Sequence, residues 1–212
     1  MNTDHLIRAL VADSSTPVAS VERRLVLSLA AGLIVAVAIF SAALGLRPGL
    51  MSRLGDPRLL LKFIANLALA ASAAPLLLRL IRPGDSARAL TTALAATPLL
   101  LLIGVLGELI ATPEASWGTR LIGSNAPYCI ICVPLLSAPL LAGTLIALRH
   151  GAATNPPLTG AIAGLFSGGL GAAIYAAHCP DDSPLFLAAW YSLAIGLVTI
   201  IGSLVGRKVL RW

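Results

Sequence analysis

The sequence predicts an all-α, polytopic membrane protein: a bundle of six transmembrane helices preceded by a short amphipathic helix. Three observations carry that expectation. Of 212 residues, 58% are hydrophobic and 11% charged, against about 25% charged in a soluble domain. The mean hydropathy is +0.91, and leucine and alanine runs recur along the whole length rather than in one anchor. Runs such as "PLLLLIGVLGELI" do not alternate in polarity, which argues against the strands of a membrane β-barrel.

Crossing a hydrocarbon core roughly 30 Å thick takes about 20 apolar helical residues, with the backbone hydrogen bonds closed inside the segment. Six windows meet that requirement, approximately 25–46, 59–78, 89–110, 126–148, 158–177 and 185–205. Between them lie "RPGLMSRLGDPR", "RLIRPGDSAR", "TPEASWGTRLIGSN", "RHGAATNPP" and "HCPDDSP", turn-rich connectors too short to hold a folded domain. The organisation expected is a cytoplasmic N-terminal segment, 1–24, and a transmembrane domain, 25–212, with a short cytoplasmic tail.

The N-terminal segment is too small to bury a core of its own. Within "MNTDHLIRALVADSSTPV", Thr3 or Asp4 can cap a helix on which Leu6, Ile7, Leu10 and Val11 repeat at helical spacing. Such a short helix is marginal alone, so its apolar stripe points to a protein partner or the bilayer surface. The paired Arg23 and Arg24 before an apolar run resemble an export signal. Five further spans and the length of the first run favour a retained helix anchored by these arginines.

Lysine and arginine mark the cytoplasmic side of a membrane protein. With six spans, ten of the fifteen basic residues fall on the side of the two termini, which predicts both termini in the cytoplasm of a bacterial inner membrane. The other five, Arg47, Arg53, Arg58, Lys62 and Arg120, fall outside with Asp56, Glu108, Glu114, Asp181 and Asp182. The whole net charge of +6 then sits inside. Anionic lipid head groups account for that excess without direct binding of nucleic acid.

All three cysteines map to the outer side. "YCIIC" opens the fourth span with Cys129 and Cys132, and "HCP" closes the fifth with Cys179. Cys129 and Cys132, three residues apart, share a helix face. An oxidising compartment permits a cross-link between the helices. Alternatively Cys129, Cys132, His178 and Cys179 form a set of soft ligands for a transient zinc or cadmium type ion, with no obligatory cofactor expected. The bland reading is that cysteines are small, apolar and common in buried helices. "HCPDDSP" also reads as a tight turn, with Pro180 stopping one helix, Asp182 or Ser183 capping the next and Pro184 in its first turn.

Glu108 lies near the outer end of the third span, where water can reach it, and no chain of acids follows it inward to make a proton path. Asn66 is placed to bond a neighbouring helix. Gly160, Gly164 and Gly168 form a stripe at four-residue spacing that lets another helix approach closely, inside the bundle or, less favoured, in a homodimer. No phosphate-binding loop, nucleophile triad or "HExxH" pair is present, so no enzyme of soluble type is expected.

Three stretches, "MNTDHLIRALVAD", "CIICVPLLSAPLLA" and above all "HCPDDSPLFLAAWY", resemble the NrsF family of bacterial inner-membrane anti-sigma factors, and the likeness follows the six-helix layout from end to end. The resemblance implies a protein that holds an extracytoplasmic-function sigma factor inactive at the cytoplasmic face and releases it under stress. It also implies that two outward-facing cysteines respond to the signal, an oxidant or heavy metal. These fall on Cys129 and Cys179, with Cys132 standing as an extra thiol. Two rival classes remain. A membrane thiol-disulfide oxidoreductase normally needs two reactive cysteine pairs. A small transporter is disfavoured by the scarcity of charge deep in the spans and the lack of an evident inverted repeat.

Overall fold

In the computed structural model of the chain, the described residues are 21–81 and 88–211 together with Thr3 and His5, and for 88–91 the backbone alone. The N-terminal stripe of Leu6, Ile7, Leu10 and Val11 and the connector around Asp85 lie outside them. The described residues form α1 (Val21–Ala43), α2 (Pro57–Leu80), α3 (Arg88–Ala111), α4 (Trp117–Ile122), α5 (Ala126–Leu148), α6 (Pro156–Ala176) and α7 (Pro184–Val209). All except the six-residue α4 are long and apolar enough to cross a membrane. No strand occurs among the described residues.

Local chemistry explains most boundaries. Asp56 accepts from the Arg58 amide, Asn155 from Leu158 and Ser183 from Leu185, each cap being followed by proline at the first helical position of α2, α6 and α7. The first span stops at Ala43, short of the apolar Leu44 and Leu46. Gly45 takes φ +72°, and the amides of Leu44 and Gly45 both return to the Phe40 carbonyl, a left-handed glycine close that hydropathy does not register. The third connector also contains α4, which reads as irregular in sequence because its six residues are too few to show a period.

Lipid and apolar side chains are equally oily, so helix association in a bilayer rests on close packing and polar contacts. α6 is the centre of the bundle, packed against α7, α2 and α5, whereas α3 is peripheral and packs mainly on α2. The glycine stripe makes the central contact. A Cβ on Gly160 would strike the Gly202 carbonyl, and one on Gly164 would come within 2.6 Å of Thr199 Cα. At Gly168 the neighbour is the Ile195 side chain, 3.1 Å away. Gly202 and Gly206 face the stripe from α7, so the small residues serve contact within one chain. Outward-facing Ile34, Ile103, Ile131 and Ile200 remain exposed, as expected of a surface solvated by lipid.

Two clusters of buried side chains divide the interior. One, toward the α6–α7 turn, joins Phe40, Cys129, Cys132, Leu136, Tyr175, Cys179, Phe186 and Tyr191. The other, toward the termini, joins Leu77, Ile81, Leu148, Phe166, Val198 and Leu210. The chemistry-bearing residues thus collect at one end of the bundle.

Candidate functional site

The segment His178–Ser183 links α6 to α7 and is tied to every neighbouring connector. Its first tie is to the α1–α2 connector. The Arg47 amide donates to the Ala177 carbonyl at 3.1 Å, and His178 Nδ1 lies 3.0 Å from the Gly45 carbonyl oxygen.

Asp182 anchors a buried charge cluster. One carboxylate oxygen meets Arg47 Nη1 at 2.8 Å and the other meets Lys62 Nζ at 3.3 Å. Both cations also donate to the Cys179 carbonyl, at 3.1 and 2.9 Å. Lys62 further donates to the Asp181 carbonyl at 3.0 Å and sits 5.3 Å from the Tyr191 ring centroid, a cation–π contact. Lys62 is only 1% exposed. At that burial an unpaired ammonium is costly, and the carboxylate, the two carbonyls and the ring together make its charge tolerable.

Asp181 serves a different helix. Its carboxylate accepts from the amides of Ser124 and Asn125, at 3.1 and 2.9 Å, and from Asn125 Nδ2 at 3.1 Å. The Asn125 side chain provides no cap for α5 itself. A negative group from across the bundle therefore satisfies amides at the start of α5 and opposes the positive end of its dipole. The acids of "HCPDDSP" consequently differ from the expected turn. Ser183, not Asp182, caps α7, while Asp182 neutralises two cations and Asp181 closes the helix that bears Cys129 and Cys132.

Gly123 lets the chain reach that carboxylate. Its φ and ψ are +60° and −168°, and a Cβ there would lie 2.5 Å from Phe186 and 2.9 Å from Asp181. Gly123→Ala is expected to destabilise the protein by about 1–3 kcal/mol, measured by thermal unfolding in detergent. Gly55→Ala, whose added Cβ meets nothing within 4 Å, is the neutral control.

The three thiols converge in the cluster beneath this loop. Cys129 and Cys179 are 0% exposed and Cys132 8%, and all are free. Tyr175 and Tyr191 pack beside them, ring centroids 6.0 Å apart, and the Tyr175 hydroxyl is buried without a hydrogen-bond partner among the described residues. His178 is turned to Gly45 and stacks obliquely on Tyr175, 6.1 Å between centroids. No three His, Cys, Asp or Glu side chains among the described residues are arranged to hold a metal ion. The soft-ligand set Cys129, Cys132, His178 and Cys179 is therefore not assembled in this conformation, because the histidine and both aspartates are committed elsewhere.

A second ion cluster stands beside the first. Glu108 is 4% exposed and is gripped by Arg58 Nε and Arg120 Nη1, both at 2.8 Å. This corrects the expectation of a hydrated interfacial acid. Asn66 donates at 2.7 Å to the Lys62 carbonyl, one turn back in α2, instead of to another helix. Trp190 Nε1 donates to the Leu121 carbonyl at 2.8 Å, joining α7 to α4.

Arg47 and Lys62 are the residues that sequence reasoning left unassigned. One signal existed. A lysine inside an apolar helix demands a counter-charge at the same depth, and the aspartate pair of "HCPDDSP" is among the acids on that side.

Fold and site together define a polytopic helical membrane protein whose thiols lie under a loop held by buried ion pairs at one end of the bundle. A family model described as negative regulator of sigma F, NrsF, matches residues 10–212, and the chain belongs to that family of anti-sigma factors. It is 35% identical over 214 residues to the anti-sigma-F factor NrsF of Caulobacter vibrioides, covering all of both chains. It is 30% identical over 213 residues, again covering both chains fully, to the probable anti-sigma-F factor NrsF of Azospira oryzae. No solved structure matches the chain.

Proposed function

We propose that the protein holds an extracytoplasmic-function sigma factor inactive at the cytoplasmic face of a bacterial inner membrane. It releases the factor when an oxidant or soft metal acts on Cys129 and Cys179 from the periplasm. The relatives bearing the anti-sigma-F name support the sigma partner. Leu6, Ile7, Leu10 and Val11 are its proposed contacts. The charge count supports cytoplasmic termini, and four of the five basic residues at the opposite end, Arg47, Arg58, Lys62 and Arg120, have carboxylate partners.

The observation that carries the sensing proposal is the double use of Cys179. Its sulfur lies in the thiol cluster, while its carbonyl accepts from both Arg47 and Lys62. An oxidant that removes two electrons and two protons from Cys129 and Cys179 leaves a disulfide. Ligation of a soft metal displaces the thiol protons instead. Either event moves the Cys179 backbone and with it the anchors of α2 and the α1–α2 connector. Shifting a 1:99 equilibrium to 99:1 takes about 5.5 kcal/mol, and disrupting one buried charge network is worth about 3–5 kcal/mol. The two are of the same order, so one thiol event can supply most of the bias. Membership of a regulatory family favours this reading over oxidoreductase or transporter.

The test uses a reporter driven by the cognate sigma factor. Serine at Cys129 or Cys179 should abolish induction by cadmium or by a thiol oxidant, with a milder effect at Cys132. Deletion of residues 1–20 should release the sigma factor without any signal and prevent its co-purification. Unchanged induction in the double serine variant rules out the thiols as trigger, and undiminished sigma binding after the deletion removes the N-terminal contacts.

A further inference from the structure

A polar cavity and an apolar groove meet at the cysteine-bearing end. The cavity, about 440 Å³, is bordered by Arg53, Arg58 and Arg120, with the hydroxyls of Ser116, Thr119 and Ser183 between them. Asp56, Asp181 and Asp182 also border it, but their carboxylates are engaged. Asp181 takes the amides before α5, Asp182 takes Arg47 and Lys62, and Asp56 caps α2.

The guanidinium groups keep capacity to spare. Arg58 uses Nε on Glu108, and Arg120 uses Nη1 on Glu108 and Nε on Ser116. The exposed Arg53 side chain has no partner among the described residues. The formal charges of the lining balance, three arginines against three aspartates, and what remains unfilled is N–H donor capacity, above all that of Arg53, which an oxyanion can accept.

The groove, about 530 Å³, begins at the same Asp56 and Arg58 and continues between α2 and α3 past Leu61, Gly104 and Gly107. A side chain on Gly107 would meet nothing within 4 Å, whereas one on Gly104 would strike the Leu61 side chain, so the groove is open over Gly107 and bounded by Leu61 where α2 packs on Gly104. A charged head site joined to an apolar channel along a transmembrane helix suits an amphiphile.

We propose that this end binds an anionic phospholipid, its phosphate among Arg53, Arg58 and Arg120 and one acyl chain over Leu61 and the open Gly107 position of α3. The head group then rests against Asp181–Ser183, the loop whose Asp182 holds Arg47 and Lys62, so lipid composition bears on the loop directly.

Native mass spectrometry of the full chain in mild detergent, titrated with phosphatidylglycerol, tests this. The wild type should retain phosphatidylglycerol in preference to phosphatidylcholine, and millimolar inorganic phosphate should not displace it. Arg53→Gln should weaken retention about tenfold, and Gly107→Leu should weaken it by filling the channel. Both substitutions should leave the melting temperature unchanged, since Arg53 has no side-chain partner among the described residues and the position above Gly107 is open. Equal retention by the wild type and Arg53→Gln overturns the site. Displacement by inorganic phosphate together with wild-type behaviour of Gly107→Leu overturns the lipid and assigns the cavity to a free oxyanion.

Discussion

Asp182→Asn should lower the unfolding free energy by about 3–5 kcal/mol, the cost of leaving buried charge without its partner. It should cost more than Arg47→Met or Lys62→Met. The reason is stoichiometric, since one carboxylate serves two cations, Arg47 at 2.8 Å and Lys62 at 3.3 Å. Removing the carboxylate strands both, whereas removing one cation leaves the other pair intact. Lys62 would keep its contacts with the Cys179 and Asp181 carbonyls and the Tyr191 ring, so the loss should stop short of complete unfolding. Reversible unfolding in detergent or by steric trapping in bicelles measures the difference. A double variant, Lys62→Met with Asp182→Asn, should lose less than the two single losses added together, because the groups share one network. Additive losses would show that the pair is not coupled. Under the proposed function, Asp182→Asn should also raise sigma-dependent transcription in the absence of a signal.

Gly160→Leu should have a comparably large effect through packing alone. Even a single Cβ on Gly160 would strike the Gly202 carbonyl and come within 2.9 Å of Gly206 Cα. These are backbone atoms that can yield only if α6 and α7 separate. Overpacking typically costs about 1–3 kcal/mol, and a whole leucine between two backbones should exceed that range. Gly196→Leu lies on the same α7 with nothing within 4 Å of its added Cβ, and it should be near neutral. Melting temperature and resistance to proteolysis distinguish the two. If Gly160→Leu folds with wild-type stability, the α6–α7 contact described here is not the one that holds the bundle.

The spans were legible because hydrocarbon imposes a length and a polarity that composition records directly. The fourth window, 126–148, coincides with α5, the windows opening at 59, 158 and 185 begin within about two residues of α2, α6 and α7, and Ser183 with Pro184 marked the last of these. The misses have specific causes. Gly45 ends α1 before the apolar residues run out, and α4 is too short for a period. The dense patch "HCPDDSP" was legible as a place where chemistry concentrates, and the convergence of Cys129, Cys132 and Cys179 followed from their common side of the membrane. The tasks of its acids were not legible. Asp181 and Asp182 are adjacent in sequence and have the same chemistry, yet one caps α5 and the other neutralises Arg47 and Lys62.

By itself the sequence determined that the chain is a six-span membrane bundle, where each span falls to within about four residues, and that thiols, acids and a histidine gather at one end. Those features depend on local hydropathy and capping, which a linear string carries in full. Only the tertiary structure decided which charge meets which, that His178 faces Gly45 instead of the sulfurs, and that the glycine stripe receives α7. Such pairings join different helices and connectors, some of them more than a hundred positions apart, as in Lys62 with Asp182. They depend on which helix faces turn toward one another, and side-chain spacing along a single helix does not specify that.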